Sequence, residues 1–295
     1  MKMGFLETTP CEDTHVVRTY NGRKNMKSKN KELVSVTIPT YNSEKTLGQC
    51  LNLVKQQSYK NIEIIIIDSY SKDKTIEIAK KYKARIIRCK GKLLEARIAG
   101  AKASRGKYVL LLDSDQMLEK TAIERAVNKM KDYDSLWFWE RAYNRKKWLP
   151  SLYDADRMLV QTYWKPDEDI VLSRFFRRDL LIKAYNKIPK KYINICAAQD
   201  HIVAWYEFRQ LTKRNGMIEN AVEHIEPDSL KALFKKQWRW GKTTKDFYKT
   251  GLYRELITKK DSFRRVKFKH LKWSIKSFIL RILRGIPYKL GYWFG

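Results

Sequence analysis

Residues 64–67 are four consecutive isoleucines inside the stretch "IEIIIID", and nothing else in the chain limits its fold as sharply. A strand with one wet face alternates apolar and polar side chains. An unbroken run must therefore be covered on both faces, as when helices flank a parallel sheet. A second run, "KYVLLLD", carries the uncharged residues 108–112 straight into Asp113. Strands are expected at "LVSVTIP" (33–39), "IEIIIID" (62–68), "ARIIRC" and "KYVLLLD", with helices between them at 43–57, 72–83 and 93–104. Alternating strand and helix predicts a doubly wound α/β unit. Ligands in such sheets sit beyond the carboxyl ends of the strands, where the strand order reverses. The ends to inspect are residues 39–42, 68–71 and 113–115.

The chain carries 62 Lys and Arg against 32 Asp and Glu, a formal charge of +30. Such an excess calls for an anionic partner: nucleic acid, an anionic membrane face or a phosphorylated substrate. From Lys231 onward 19 cations meet three acids, so the tail is a basic block. Cys11, Cys50, Cys89 and Cys196 lie far apart with no C-x-x-C pair. That spacing predicts neither a disulfide framework nor a zinc module, and points to a reducing, intracellular setting. No window reaches the roughly eighteen apolar residues of a spanning helix, and the N-terminus carries acids where a signal peptide would be apolar. The expected organisation is a polar leader over 1–30, a main unit over 31–250 and basic amphipathic helices over 251–295. Within the main unit, 31–135 is the nucleotide-binding half and 136–250 the acceptor half.

Each strand end carries a side chain able to handle a nucleotide. Asp68 follows a buried strand, where an exposed carboxylate can accept from a base N–H or a ribose hydroxyl. Asp113 and Asp115 can hold a hard divalent cation, which binds few protein oxygens and completes its shell with water and phosphate. Positions i and i+2 of an ideal strand share a face, so both can point at one ion. The alternative, that the pair caps the next helix, is weakened by "TAIE", residues 121–124, which forms a capping box of its own.

Taken together, "VSVTIPTYNSEKTLGQCLNLVKQQSYKNIEIIIIDSYSKDKT" and "ARIAGAKASRGKYVLLLDSD" resemble the N-terminal half of a family 2 glycosyltransferase with the GT-A fold, over about residues 33–130. The resemblance implies an α/β GT-A fold with a Rossmann-like mixed sheet. It also implies a nucleotide-diphosphate sugar as donor, with UDP the expected nucleotide, a Mg²⁺ or Mn²⁺ ion on the diphosphate, and inversion at the anomeric carbon. It places Pro39, Thr40 and Tyr41 beside the nucleoside, Asp68 on the base and Arg97 near the phosphates. Asp113, Ser114 and Asp115 would surround the ribose and the metal. Two of these have plainer readings: Tyr41 as a loop aromatic on the sheet edge, and Arg97 as a solvated helix residue.

In the second half the resemblance implies a general base ahead of a helix, usually within an acidic pair. "AAQDHIVAWYEF" fits that place, with Asp200 as the base and Gln199 where an acid is common; the plainer reading makes Asp200 a helix cap. Asp167 and Asp169 rank second. The segment "QWRW" departs by one residue from the family's Q-x-x-R-W. It still offers Arg239 and Lys242 to a departing diphosphate, where cation contacts strengthen as charge develops. His224 is a further candidate metal ligand, or a satisfied structural histidine. Trp238 and Trp240 stack on a sugar or pack a lid.

Toward the C-terminus Phe268, Leu271, Ile275, Phe278, Ile279, Ile282, Leu283 and Ile286 recur at steps of three and four, interleaved with Lys269, Lys272, Lys276, Arg281 and Arg284. Two readings stand. Either the helix lies in the interface of an anionic membrane, or it docks on the main unit with its basic face solvated. The first implies a lipid-linked or glycan acceptor and a cytoplasmic protein held peripherally at the membrane. A competing function, a basic nucleic-acid-binding protein, draws on segments such as "WERAYNRKKW". It gives no reason for acids at three strand ends, and no nucleic-acid partner is expected. A nucleotidyltransferase would open on a Gly-rich loop after the first strand, and "IPTYNSEKT" has no glycine.

Overall fold

The computed structural model describes residues 32–163, 173–195, 199–253 and 268–295. The leader and the second-ranked Asp167 and Asp169 lie outside the described residues. Four strands form the first half: β1 (Val34–Thr40), β2 (Ile62–Asp68), β3 (Arg85–Arg88) and β4 (Tyr108–Leu111), joined through α1 (Glu44–Lys55), α2 (Thr75–Lys81) and α3 (Leu93–Ala103). The isoleucine run divides as its lack of alternation requires. Ile64 and Ile66 pack with Leu47, Leu51 and Val54 of α1, while Ile65 and Ile67 pack on the opposite face with Ile87 and Ala96. Each such side chain contributes about 1.5–3 kcal/mol by leaving water.

After β4 the chain adds β5 (Gln116–Leu118), α4 (Ala122–Lys129), β6 (Ser135–Ala142), α5 (Trp148–Tyr163), β7 (Ser173–Arg177), α6 (Arg178–Lys187), α7 (Asp200–Arg209), β8 (Asn215–His224) and α8 (Leu230–Lys249). All eight strands join one sheet in the order β3-β2-β1-β4-β7-β6-β8-β5. β3, β2, β1 and β4 run parallel, and β7 is antiparallel to β4. β2 and β3 therefore lie on one side of β1 and β4 on the other. That reversal puts the crevice at the carboxyl ends of β1 and β4.

The capping box expected at residues 121–124 does not form. Thr121 is the N-cap of α4, but its hydroxyl donates to Glu119, and Glu124 accepts from Ser58 instead of reaching back. Cys50 is a free, buried thiol, whereas Cys89 is disulfide-bonded. The disulfide at Cys89 departs from the reducing setting that the cysteine spacing suggested, because spacing along the chain does not report what the fold brings together.

The final helix, α9 (Leu271–Phe294), packs on α5 and α8. Leu149, Leu152 and Tyr153 of α5, Leu233 of α8 and Leu280 of α9 share one apolar cluster. Ser274, Ser277, Pro287 and Gly291 are also buried, and Ser277 Oγ donates to Asp156 Oδ1 at 2.5 Å. The approach to α8 is close enough to exclude side chains. A Cβ on Gly241 would stand 2.0 Å from the Tyr288 carbonyl oxygen, and one on Gly291 2.1 Å from that of Trp238. The helix thus docks, as one of the two readings held, through Leu280 and its small residues. Leu271, Ile275, Phe278, Ile279, Ile282 and Ile286 face outward. Among the described residues no helix is long and apolar enough to cross a membrane.

Candidate active site

Thr40, Asp68 and Arg88 end the first three strands in one row of the sheet, paired Thr40 with Asp68 and Asp68 with Arg88. The sequence suggests an exposed Asp68, but its side chain is fully buried and both oxygens are taken. Thr40 Oγ1 donates at 2.9 Å, Ser71 Oγ at 2.5 Å and Ser71 N at 2.9 Å, and Arg88 closes an ion pair. Asp68 organises the crevice floor. Above it the two loops are laced: Asn42 N donates to Ser71 Oγ and Lys72 N to Asn42 Oδ1, both at 2.9 Å. Asn42 and Tyr70 occupy the left-handed region, with φ of 48° and 59°, a backbone cost that functional loops tolerate. The result is two exposed rings at the strand ends, Tyr41 and Tyr70, with the Arg88 guanidinium 5.6 Å from the Tyr70 centroid. Pro39 is half-buried within β1.

Past β4 the chain turns: Gln116 N bonds Asp113 O at 3.0 Å. Asp113 and Asp115 thus lie beyond the strand, where the pleat no longer keeps i and i+2 on one face. Asp113 turns inward, its Oδ1 2.8 Å from Arg97 Nη2 and its Oδ2 2.9 Å from Arg174 Nη1. Burial pushes its pKa up, but Arg97 and then Arg174 outweigh it and hold the carboxyl well below the usual range. Asp115 stays 39% exposed and faces His224 Nε2 at 3.5 Å. Ser114 Oγ bonds Ser43 Oγ at 3.1 Å and braces the turn against the β1 loop.

His224 ends β8 opposite Gln116 of β5, and its Nδ1 lies 2.9 Å from Glu226 Oε1. Burial disfavours the imidazolium, but Asp115 and Glu226 prevail and raise the His224 pKa. Among the described residues no three His, Cys, Asp or Glu form a ready-made metal cage. Asp115 and His224 nonetheless present an oxygen and a nitrogen side by side at the crevice. That pair fits a divalent ion whose remaining ligands come from water and a diphosphate. Asp113, with both oxygens on arginines, is not part of that pair.

Asp200 is the first residue of α7, whose N-cap is Gln199. Its carboxylate is not the cap: Oδ2 lies 2.5 Å from Arg97 Nε and Oδ1 3.1 Å from His201 Nδ1. Burial raises its pKa, but Arg97 and then His201 bring it down to about 2. Arg97 is neither solvated nor free for a phosphate. It is 5% exposed and shared between Asp113 and Asp200. From there the charges alternate without a gap. Asp113 meets Arg174, whose Nη2 is 3.0 Å from Glu140. Glu140 is 3.2 Å from Arg157, which pairs with Glu226, and Glu226 meets His224 and so Asp115.

Residues 35–183 match the family described as glycosyl transferase family 2. The chain belongs to that family. It is 36% identical over 124 residues, 40% of this chain and 49% of the relative, to the Escherichia coli UDP-Glc:α-D-GlcNAc-diphosphoundecaprenol β-1,3-glucosyltransferase WfaP. Over 112 residues, 35% of this chain and 34% of the relative, it is 37% identical to the Staphylococcus aureus poly(ribitol-phosphate) β-N-acetylglucosaminyltransferase TarP. The matched stretch spans less than half the length of these relatives. Among solved structures, S. aureus TarS 1-349 in complex with UDP superposes with a TM-score of 0.54 at 17% identity, covering 88% of this chain and 90% of that one. Glucosyl-3-phosphoglycerate synthase from Mycobacterium tuberculosis, with Mg²⁺ and UDP, gives 0.51 at 17% identity, covering 75% and 80%. These likenesses establish the GT-A fold.

In this family 2 chain the structure gathers Thr40, Asp68, Arg97, Asp113, Ser114, Asp115, Asp200 and His224 at one edge of the sheet. It does not bring Arg239 and Lys242 to them. Both are exposed on α8, and Lys242 Cβ lies beside the C-terminal Gly295. Besides Arg97, the cations that reach the carboxylate chain are Arg157, Arg174 and Lys236, the last 3.8 Å from Glu226 and 5.5 Å from the Trp240 ring centroid. Trp238 packs beneath Gly291 of α9. Sequence reasoning missed Glu140, Arg157, Arg174 and Glu226. Only their opposite charges in the second half hinted at them, among too many others to single out.

Proposed function

We propose that the chain is a metal-dependent, inverting glycosyltransferase that moves a sugar from a UDP-sugar to a hydroxyl or phosphate acceptor, lipid-linked or glycan, at a membrane surface. One observation carries the reading: a single charge chain joins a metal-competent pair, Asp115 and His224, to a buried ionised carboxylate, Asp200. The UDP-bound S. aureus neighbour and the UDP-Glc donor named for the E. coli relative support the nucleotide. That relative's diphosphoundecaprenol-linked acceptor supports the lipid carrier.

In this reading Tyr41 and Tyr70 flank the base, while Asp115 and His224 hold the Mg²⁺ or Mn²⁺, which when bound neutralises the donor's diphosphate. The acceptor oxygen attacks the anomeric carbon as the bond to the diphosphate oxygen breaks, and the acceptor's proton passes to Asp200. Arg97 keeps Asp200 ionised, and a carboxylate held this low is a weak base that takes the proton only as the acceptor oxygen bonds to carbon and its hydroxyl becomes strongly acidic. Calorimetric titration of UDP with and without Mn²⁺ tests the assignment. Mn²⁺ should tighten binding to the wild type and leave Asp115→Asn unaffected; equal Mn²⁺ enhancement in both would remove Asp115 from the metal.

A further inference from the structure

Helix α9 has its faces reversed relative to an ordinary docked helix. Its inner side is made of small residues around the single buried Leu280, while Leu271, Ile275, Phe278, Ile279, Ile282 and Ile286 stand exposed, Phe278 at 59% and Ile286 at 58%. Their steps of three and four place them in a single stripe. Trp293 and Phe294 extend the exposed apolar surface at the helix end. The helix cannot roll to hide the stripe, because Gly241 and Gly291 allow backbone contact with α8 that no side chain could share. Contiguous apolar surface of this kind marks an interaction site.

The charges around the stripe select the partner. Residues 271–294 contain five cations, Lys272, Lys276, Arg281, Arg284 and Lys289, and no acid. Lys276 reaches back to Ser151 Oγ at 3.2 Å and Arg284 lies over the Tyr153 ring. Lys272, Arg281 and Lys289 are exposed. A second copy meeting this face would set cation against cation.

We propose that the outer face of α9 seats the protein on an anionic bilayer. Its apolar stripe enters the acyl boundary and its exposed cations meet lipid phosphates. The proposal deepens the lipid-linked acceptor reading and rests on it. What it adds is the manner of attachment. The helix is mounted rigidly on α5 and α8, not hinged from them, so the crevice meets a lipid-borne acceptor at one height and one tilt.

The test is co-sedimentation of the full chain with vesicles of phosphatidylcholine alone and of phosphatidylcholine containing one-third phosphatidylglycerol, beside UDP titration of the same samples. The wild type should partition onto the anionic vesicles and weakly onto the neutral ones. Ile275→Glu/Phe278→Glu/Ile282→Glu should lose about tenfold or more of that partition with UDP binding unchanged. Lys272→Ala/Lys289→Ala should weaken the anionic arm alone. Phe278→Glu by itself carries the test if the triple variant does not fold. Wild-type binding that these variants retain, or equal binding to both vesicles, would overturn the proposal. So would a wild-type dimer that the variants dissociate, with no vesicle binding. A wild type that binds UDP but neither kind of vesicle condemns the seat alone, and a wild type that binds anionic vesicles but not UDP condemns the enzymatic reading alone.

Discussion

Asp200→Asn separates the carboxylate's chemistry from its place in the structure. Asn keeps the shape of the side chain and can still accept from Arg97 through its amide oxygen, but it cannot take a proton. The fall of the Asp200 pKa from 3.8 to about 2 corresponds to about 2 kcal/mol favouring the ionised form in the fold. The variant should therefore lose about that much stability at pH 7, or about 4–8 °C in Tm for a domain of this size. The sign with pH follows from a depressed folded value. The contribution is complete above pH 3.8 and disappears as pH falls toward 2. The stability gap between wild type and variant, measured by urea unfolding, should thus narrow in acid. Turnover at pH 7 should fall by about 10²–10⁴-fold, the range for losing a general base, while UDP affinity stays within twofold or so of the wild type. Two results would refute the reasoning: wild-type turnover in the variant, or a turnover loss matched by an equal loss of UDP affinity. A stability gap that does not change with pH would refute the electrostatic account separately.

Three further outcomes are expected. Arg174→Leu strips Asp113 Oδ2 and Glu140 Oε1 of their shared partner and should cost about 3–5 kcal/mol, read by urea unfolding. Gly241→Val forces a Cβ to within 2.0 Å of the Tyr288 carbonyl, so protease cleavage within residues 271–294 should accelerate while cleavage of the β1–β4 region does not. Tyr41→Ala removes a ring that is 65% exposed and should leave Tm unchanged but weaken UDP binding about tenfold, the order of one lost stacking contact.

The first half was legible because its signals are local. Unbroken apolar runs required a sheet covered on both sides, and the acids that close those runs marked the crevice. Geometry past the last parallel strand was not legible. The pleat rule put Asp113 and Asp115 on one face, yet a turn bond from Gln116 N to Asp113 O replaces strand geometry there, and Asp113 pairs with Arg97 and Arg174 while Asp115 faces His224. Asp68 read as exposed because nothing in the sequence tells that Ser71 and Arg88 close around it. The arginines that hold Asp113 lie 16 and 61 residues from it in the chain. In a chain with 62 basic residues, no local pattern sets those two apart from the rest. The outward stripe of α9 was visible as a period but not as a direction, since periodicity gives a face without saying what covers it.

One hydrogen-bonded sheet runs from β3 through β4 and β7 to β5 without a break. The strands beneath the donor crevice and those that carry Glu140, Arg174 and His224 therefore share a common plank, not two lobes about a joint. Among the described residues no joint interrupts the sheet, so sealing of the crevice during turnover falls to the connections above the strands.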